Sequence, residues 1–197
     1  MRTRMPFTFI LNRWVDTLAR ALAWAGGGVL LAITAMSVAS IAGRALAGVA
    51  GLGPVPGDFE LVEAGAALVV FCFLPWCHWR RGHAVVDVLW RAWPPAVQRG
   101  LHALAQALML AVWVLLTWRM GVAMLDYRAN GETTFILHWP VWWGYAACLP
   151  PAVAGCLVYA WTLAQALGWA PPHEPARSAT TETPAALAPA RPGGPRS

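Results

Sequence analysis

The sequence predicts an all-α membrane protein with four transmembrane helices and a short amphipathic interfacial helix between spans two and three. Of its 197 residues, 58% are hydrophobic and only 12% are charged, which is more apolar surface than one soluble core of this size can bury. The charges are also unevenly placed, because they collect in short patches between long uncharged stretches. That pattern is typical of helices that cross a bilayer and are joined by loops.

Four apolar stretches are long enough to cross a hydrocarbon core about 30 Å thick at about 1.5 Å of rise per residue. We expect the spans at residues 18–42, 59–79, 100–118 and 141–167. Together they make residues 1–167 a single four-helix transmembrane domain.

Two of these spans carry residues with a specific local role. Asp58 is expected to be the N-cap of span two, with Glu60 and Glu63 in its first turns, where acidic side chains complement the helix dipole. Pro150 and Pro151 are expected to kink span four, which a bundle tolerates where neighbours or water satisfy the freed carbonyl groups.

The connection between spans two and three predicts a surface helix at residues 84–93. Val85, Val88 and Leu89 fall on one helical face while Asp87 falls on another, as in helices that lie in the membrane interface.

The last 30 residues, 168–197, are rich in Ala, Pro, Thr and Arg and have no periodicity that would bury a face. They predict a disordered cytoplasmic tail.

The arginines predict the orientation of the chain. Eight of them lie in the amino-terminal segment, up to Arg20, or between spans two and three, against three on the opposite side. By the positive-inside rule, both termini of this multi-pass membrane protein then lie in the cytoplasm. Because the arginines flank apolar segments rather than forming one basic surface, the net charge of +5 indicates contact with membrane lipid and not with nucleic acid.

Glu60 and Glu63 are neighbours on one face of span two, near the end that is predicted to be periplasmic. A carboxylate at this depth needs a partner, and Arg44 at the end of span one is the nearest candidate by topology. The alternative is that the two glutamates form an ion or proton site.

Small residues in span one predict a close helix contact. Gly28 and Ala32 are four residues apart, the spacing that lets two membrane helices approach each other. A similar row follows on an adjacent strip of the same helix, at Ala35, Ala39 and Gly43.

No pattern in the chain indicates catalysis or a bound cofactor. There is no nucleophile with a nearby base, no metal-ligand spacing and no phosphate loop. His78 and His102 are the one pair that would suit a haem, which leaves a b-type cytochrome membrane subunit as an alternative. We therefore expect that the protein is not an enzyme and holds no cofactor or metal.

Several short patches, taken in their order along the chain, carry a resemblance to a known family. They are Arg44 after span one; Asp58, Glu60 and Glu63 at the start of span two; Arg80, Arg81, His83 and Asp87 in a basic patch; and Glu132, Thr133, Pro140 and Pro150 before and within span four. In these patches, over about residues 13–167, the chain resembles the small permease subunit of TRAP transporters, the DctQ-type family. Pro75 and its neighbours depart from the family pattern, in which small residues precede the basic patch.

The resemblance implies a small, non-catalytic membrane subunit of a tripartite ATP-independent secondary transporter. Such a subunit would scaffold the large TRAP permease subunit for sodium-coupled uptake of a carboxylate. A periplasmic substrate-binding protein would deliver that carboxylate through transient contact. The residues named above are its structural or partner-interface candidates, and His83 and Asp87 would bond on one face of the surface helix. A self-sufficient, homo-oligomeric small transporter that uses Glu60 and Glu63 remains the alternative.

Overall fold

The computed structural model describes residues 6–51, 53–80 and 94–170. Its helices are α1 (Pro6–Ala45), α2 (Ala47–Ala50), α3 (Asp58–Trp79), α4 (Pro95–Asn130) and α5 (Trp142–Ala166). Four of them, α1, α3, α4 and α5, are long and apolar enough to cross a membrane. Over the described residues, the prediction of an all-helical protein with four membrane-spanning helices is therefore confirmed.

Some of the sequence predictions fall on parts of the chain that lie outside the described residues. These are the interfacial helix at residues 84–93, the positions Arg81, His83 and Asp87, and all but the first three residues of the predicted tail.

Helix α3 has the length of a single membrane crossing, because its 22 residues rise about 33 Å. Helices α1 and α4 are much longer, with 40 and 36 residues. Helix α1 begins twelve residues before the predicted start of span one, and α4 continues to Asn130, well past the predicted end of span three at residue 118. Both helices are thus longer than the hydrocarbon core is thick.

The helices pack in the spatial order α1, α3, α5, α4. Helix α5 is central, because it contacts α1 as well as α3 and α4. Helix α4 packs chiefly on α5, which leaves its opposite side exposed. We call the two ends of the bundle the Asp58 end and the Trp79 end, after the first and last residues of α3.

Glycines allow α1 and α3 to approach closely. A β-carbon at Gly26 would lie 2.7 Å from the Cβ of Cys72, and one at Gly65 would lie 2.6 Å from Cγ2 of Ile33. Gly28, in contrast, is exposed and has no neighbour of this kind within 4 Å. The Gly28 pair that the sequence singled out therefore faces away from the α1–α3 contact, and Gly26 is the α1 residue that makes it.

A compact apolar cluster fastens the Trp79 end. It joins α1, α3 and α5 through Val15, Ala19, Trp79 and Val158. Ala19 and Val158 are completely buried, and Trp79 keeps only 2% of its surface exposed. Side chains from three helices thus exclude lipid and water from this end of the bundle.

Candidate functional site

At the Asp58 end of the bundle, a buried serine connects α1 to α3. Ser40 on α1 is 1% exposed and donates a hydrogen bond of 2.5 Å to Oδ2 of Asp58, the first residue of α3. The backbone N–H of Val55 donates to the same hydroxyl oxygen over 3.3 Å. Arg44, one turn further along α1, places a guanidinium nitrogen 3.6 Å from Oδ2 of Asp58. These contacts tie the last turns of α1 to the start of α3.

We call the contacts of Asp58 with Ser40 and Arg44 the joint between α1 and α3. Two predictions about this joint were wrong. The N-cap of α3 is Gly57, with a φ of 73°, and Asp58 is already helical. The described carboxylate that pairs with Arg44 is that of Asp58, and not that of Glu60 or Glu63. Glu60 lies two residues after Asp58 and so points about 200° around the helix, away from α1.

Glu60 holds the loop between α4 and α5, at residues 131–141. Its two carboxylate oxygens accept hydrogen bonds from the backbone N–H groups of Ile136, at 2.7 Å, and Leu137, at 3.1 Å. The Leu137 side chain fills the space beside Gly57, where a β-carbon would collide with it. Because an ionised acceptor strengthens such bonds, Glu60 fixes the loop against the start of α3.

The loop itself has a hairpin-like geometry. Thr133 and Pro140 form an isolated antiparallel bridge, and the N–H of Val141 donates to the carbonyl oxygen of Glu132 over 3.0 Å. The Oε1 atom of Glu132 also accepts a bond of 3.3 Å from Asn130 at the end of α4. The predicted positions Glu132, Thr133 and Pro140 are therefore brought together on the two sides of one turn.

The other predicted positions have separate surroundings. Glu63 is exposed and makes no hydrogen bond with the described residues. Pro150 lies on the exposed side of α5 and is followed by the buried Pro151, and the helix continues through both prolines. Arg80 is the C-cap of α3, and its guanidinium carbon lies 5.2 Å from the centroid of the Trp76 ring.

The Trp79 end has a polar joint that the sequence did not predict. Asp16 on α1 accepts a hydrogen bond of 2.9 Å from the indole of Trp79 and one of 2.6 Å from Arg20. Asn12, one turn earlier, accepts a bond of 2.7 Å from the indole of Trp161 on α5. Nothing in the sequence pairs residues that lie 63 and 149 positions apart, so these contacts could not be foreseen.

A shallow groove opens beside this joint. It has a volume of about 210 Å³ and is lined by Arg20, Ala23, Trp24 and Trp76. The guanidinium carbon of Arg20 lies 5.8 Å from the centroid of the Trp76 ring. Arginine and tryptophan combined in this way are typical of the interface between hydrocarbon and water.

An aromatic stack connects α4, α5 and α3 between the middle of the bundle and its Trp79 end. Trp113 on α4 donates a hydrogen bond of 2.8 Å to the carbonyl oxygen of Ala152 on α5. Its ring stacks on Tyr159, with centroids 5.0 Å apart, and Tyr159 stacks on His78 of α3 at 4.0 Å. A β-carbon at Gly155 would lie 2.5 Å from the indole nitrogen of Trp113. The glycine therefore makes room for the indole.

His78 is part of the packing between helices. It is 4% exposed, and its Nε2 lies 2.9 Å from Oγ1 of Thr162 on α5. The same hydroxyl is 3.3 Å from Oε1 of Gln106 on α4. Among the described residues, no group of three or more His, Cys, Asp or Glu side chains has an arrangement that would hold a metal ion.

Comparison with known proteins identifies the family of this bundle. The sequence model of the family described as "Tripartite ATP-independent periplasmic transporters, DctQ component" matches residues 33–170, from the second half of α1 to just beyond α5. No curated protein and no solved structure matches the chain. The match covers more than half of the sequence and includes α3, α4 and α5 in full, so it confirms the resemblance found in the motifs. The chain therefore belongs to the DctQ family and is a multi-pass membrane component of a tripartite ATP-independent periplasmic transporter.

Proposed function

We propose that this chain is the small, non-catalytic subunit that scaffolds the large permease subunit of its transporter. The complete system would take up a carboxylate together with sodium, after a periplasmic binding protein has delivered it. Membership of the DctQ family is the starting point of this proposal. The scaffold role, the partners and the substrate class go beyond it.

The observation that carries the scaffold role is the use of the acidic side chains. A transport site needs ionisable groups that a substrate or ion can reach. Glu63 is exposed, but Asp58 is bonded to Ser40, and Glu60 to the N–H groups of Ile136 and Leu137. These carboxylates fasten helices and a loop to one another, which is what a rigid support requires.

We further propose an orientation in the bacterial inner membrane with both termini in the cytoplasm. The Trp79 end, with Arg20, Arg80 and the groove at Trp76, would then face the cytoplasm, in agreement with the positive-inside rule. The loop at residues 131–141 would face the periplasm and offer the 91% exposed Phe135 to the binding protein. Reporter fusions at each terminus and at Phe135 test this arrangement. A terminus that reports from the periplasm would refute it.

Co-purification tests the scaffold role directly. The tagged chain, solubilised in mild detergent, is expected to bring down a much larger multi-span membrane protein. Deletion of the chain is expected to abolish carboxylate uptake by cells that retain the other two components. If nothing co-purifies and uptake is unchanged, the proposal fails.

Reconstitution separates this function from that of a self-sufficient transporter. In liposomes that contain only this chain, we expect no sodium-dependent carboxylate uptake. Uptake by the chain alone, abolished by Glu63→Gln, would favour a small homo-oligomeric transporter instead.

A further inference from the structure

Arg119 lies on the side of α4 that faces away from the rest of the bundle. The inner side of this helix is marked by Thr117, whose hydroxyl is 3.5 Å from the sulfur of Cys156, and by Gly121, where a β-carbon would be 3.9 Å from Leu149. Arg119 is two residues from each of them and so points about 200° away. Its side chain is exposed.

An apolar row continues from Arg119 along the same side of α4. The row has the helical spacing of three and four residues, and its members keep between 50% and 63% of their surface exposed. We call this surface the outer α4 face, and it consists of Leu104, Leu108, Val112, Leu115 and Arg119. Arg119 thus stands at the end of an otherwise hydrocarbon-like row.

Contacts with α5 place Arg119 level with the middle of α3, the helix that has the length of a single membrane crossing. Trp113 bonds the carbonyl oxygen of Ala152, and Gly121 approaches Leu149, so Arg119 lies beside residues 149–152 of α5. The position of α5 relative to α3 is set by two contacts, one between Gly144 and Ala64 and one between Thr162 and His78. Residues 149–152 lie between these two contacts and are therefore level with the middle of α3.

A guanidinium at this depth needs an anion. Helix α3 rises about 33 Å in all, so the backbone of Arg119 is about 15 Å from either end of it, farther than an arginine side chain reaches by snorkelling. Among the described residues the ion pairs are Arg20 with Asp16 and Arg44 with Asp58, and neither involves Arg119. Charged side chains at the bilayer centre are costly unless they are paired.

We propose that the outer α4 face docks against a transmembrane helix of the large membrane subunit, and that Arg119 forms an ion pair there with an aspartate or glutamate of that helix. Hydrocarbon tails supply no anion at this depth. A second copy of this chain, docked in parallel through the same face, would bring two Arg119 guanidinium groups together, and like charges oppose that arrangement. The pairing rests on the proposed function, because it requires a large partner in the membrane.

Co-expression with the large subunit tests the ion pair. Arg119→Glu is expected to reduce the amount of large subunit that co-purifies by about tenfold or more, while Arg119→Lys, which keeps the charge, retains most of it. Arg128→Glu is the matched control and is expected to leave the yield unchanged. Arg128 is also an exposed arginine of α4, but it lies near the end of the helix, over the ring of Trp142 at 5.4 Å.

The outcomes separate the docking surface from the proposed function. If the unchanged chain fails to bring down the large subunit, the proposed function is wrong. If the unchanged chain and Arg119→Glu bring down equal amounts, the proposed function stands and the ion pair at Arg119 is wrong.

Photo-crosslinking gives a second reading that does not depend on a charge reversal at Arg119. A photoreactive residue in place of Leu115 on the outer α4 face is expected to form an adduct with the large subunit. The same residue at Leu31, which is 73% exposed on α1 at the opposite edge of the bundle, is the comparison and is expected to form none. Adducts only from Leu31, adducts between two copies of this chain, or adducts with lipid alone would each overturn the proposal.

Discussion

The indole of Trp113 on α4 occupies the space that the side chain of any residue larger than glycine would need at Gly155 on α5. Its N–H donates to the carbonyl oxygen of Ala152, and its ring stacks on Tyr159. Because α4 packs chiefly on α5, this contact is central to the attachment of α4 to the bundle. Substitutions at this contact should change the stability of the bundle. Substitutions at the Asp58 end, where Ser40 and Arg44 contact Asp58 and Glu60 holds the loop at residues 131–141, should have different and measurable effects.

Gly155→Ala is expected to lower the stability of the folded protein by about 1–3 kcal/mol, because the added methyl group overlaps the Trp113 indole and a packed interior has no room to receive it. Thermal unfolding in detergent, followed by tryptophan fluorescence, measures the change. Gly28→Ala is the matched control, since a β-carbon there meets nothing within 4 Å and alanine is a better helix former. Equal unfolding temperatures for the two variants would contradict the close packing of Trp113 on Gly155.

Glu60→Ala is expected to release the loop at residues 131–141. The amide hydrogens of Ile136 and Leu137 lose their acceptor and should exchange with solvent faster by about tenfold or more, while the amides of α5 remain protected. Hydrogen exchange followed by mass spectrometry provides the measurement. Glu63→Ala, three residues further along the same helix, is the control, and an equal effect from it would show that Glu60 does not hold the loop.

Ser40→Ala is expected to loosen the joint between α1 and α3. It removes the donor to the Asp58 carboxylate and the acceptor of the Val55 N–H, at a cost of about 1.5–3 kcal/mol. Ser37→Ala should cost less, because the Ser37 hydroxyl bonds the carbonyl of Ile33 in its own helix. The unfolding temperatures of the two variants, measured side by side, are the test. A smaller decrease for Ser40→Ala than for Ser37→Ala would show that Ser40 does not stabilise the contact between α1 and α3.

Arg44→Gln is expected to change stability by no more than about 1 kcal/mol, because the Arg44 side chain is 57% exposed and lies 3.6 Å from Asp58. Arg44 is charged, but the buried hydroxyl of Ser40 should contribute more to the stability of this joint. Thermal unfolding at low and high salt is the measurement. A loss as large as that of Ser40→Ala would mean that the ion pair dominates the joint.

The spans could be predicted from the sequence because the transfer of apolar side chains into lipid depends on composition and length alone. The N-terminal end of α1 and the C-terminal end of α4 could not be predicted in this way. Residues 6–17 and 119–130 contain enough charged and polar groups to end an apolar stretch, yet they continue as helix because nothing in them breaks one. The charge of Arg119 marked a span end in the sequence, whereas the structure places that residue beside the middle of α5.

The polar joints were predicted in part. The sequence correctly brought the end of α1 together with the start of α3, because the short connection between them leaves few alternatives. It named the wrong carboxylate, since the choice between Asp58 and Glu60 depends on the rotation of α3 about its axis. The apolar residues of a nearly all-apolar helix give that rotation no clear direction. The contact between Asp16 and Trp79 was missed for the same reason.

The joints at the two ends of α3 have a mechanical consequence. Helix α1 is bonded to α3 through Ser40 and Asp58 at one end and through Asp16 and Trp79 at the other, across about 33 Å of helix. Helix α1 can neither slide along α3 nor turn against it without breaking one of these two sets of hydrogen bonds. We therefore expect α1 and α3 to move together as one stiff unit, so that a force on either helix is transmitted to the other.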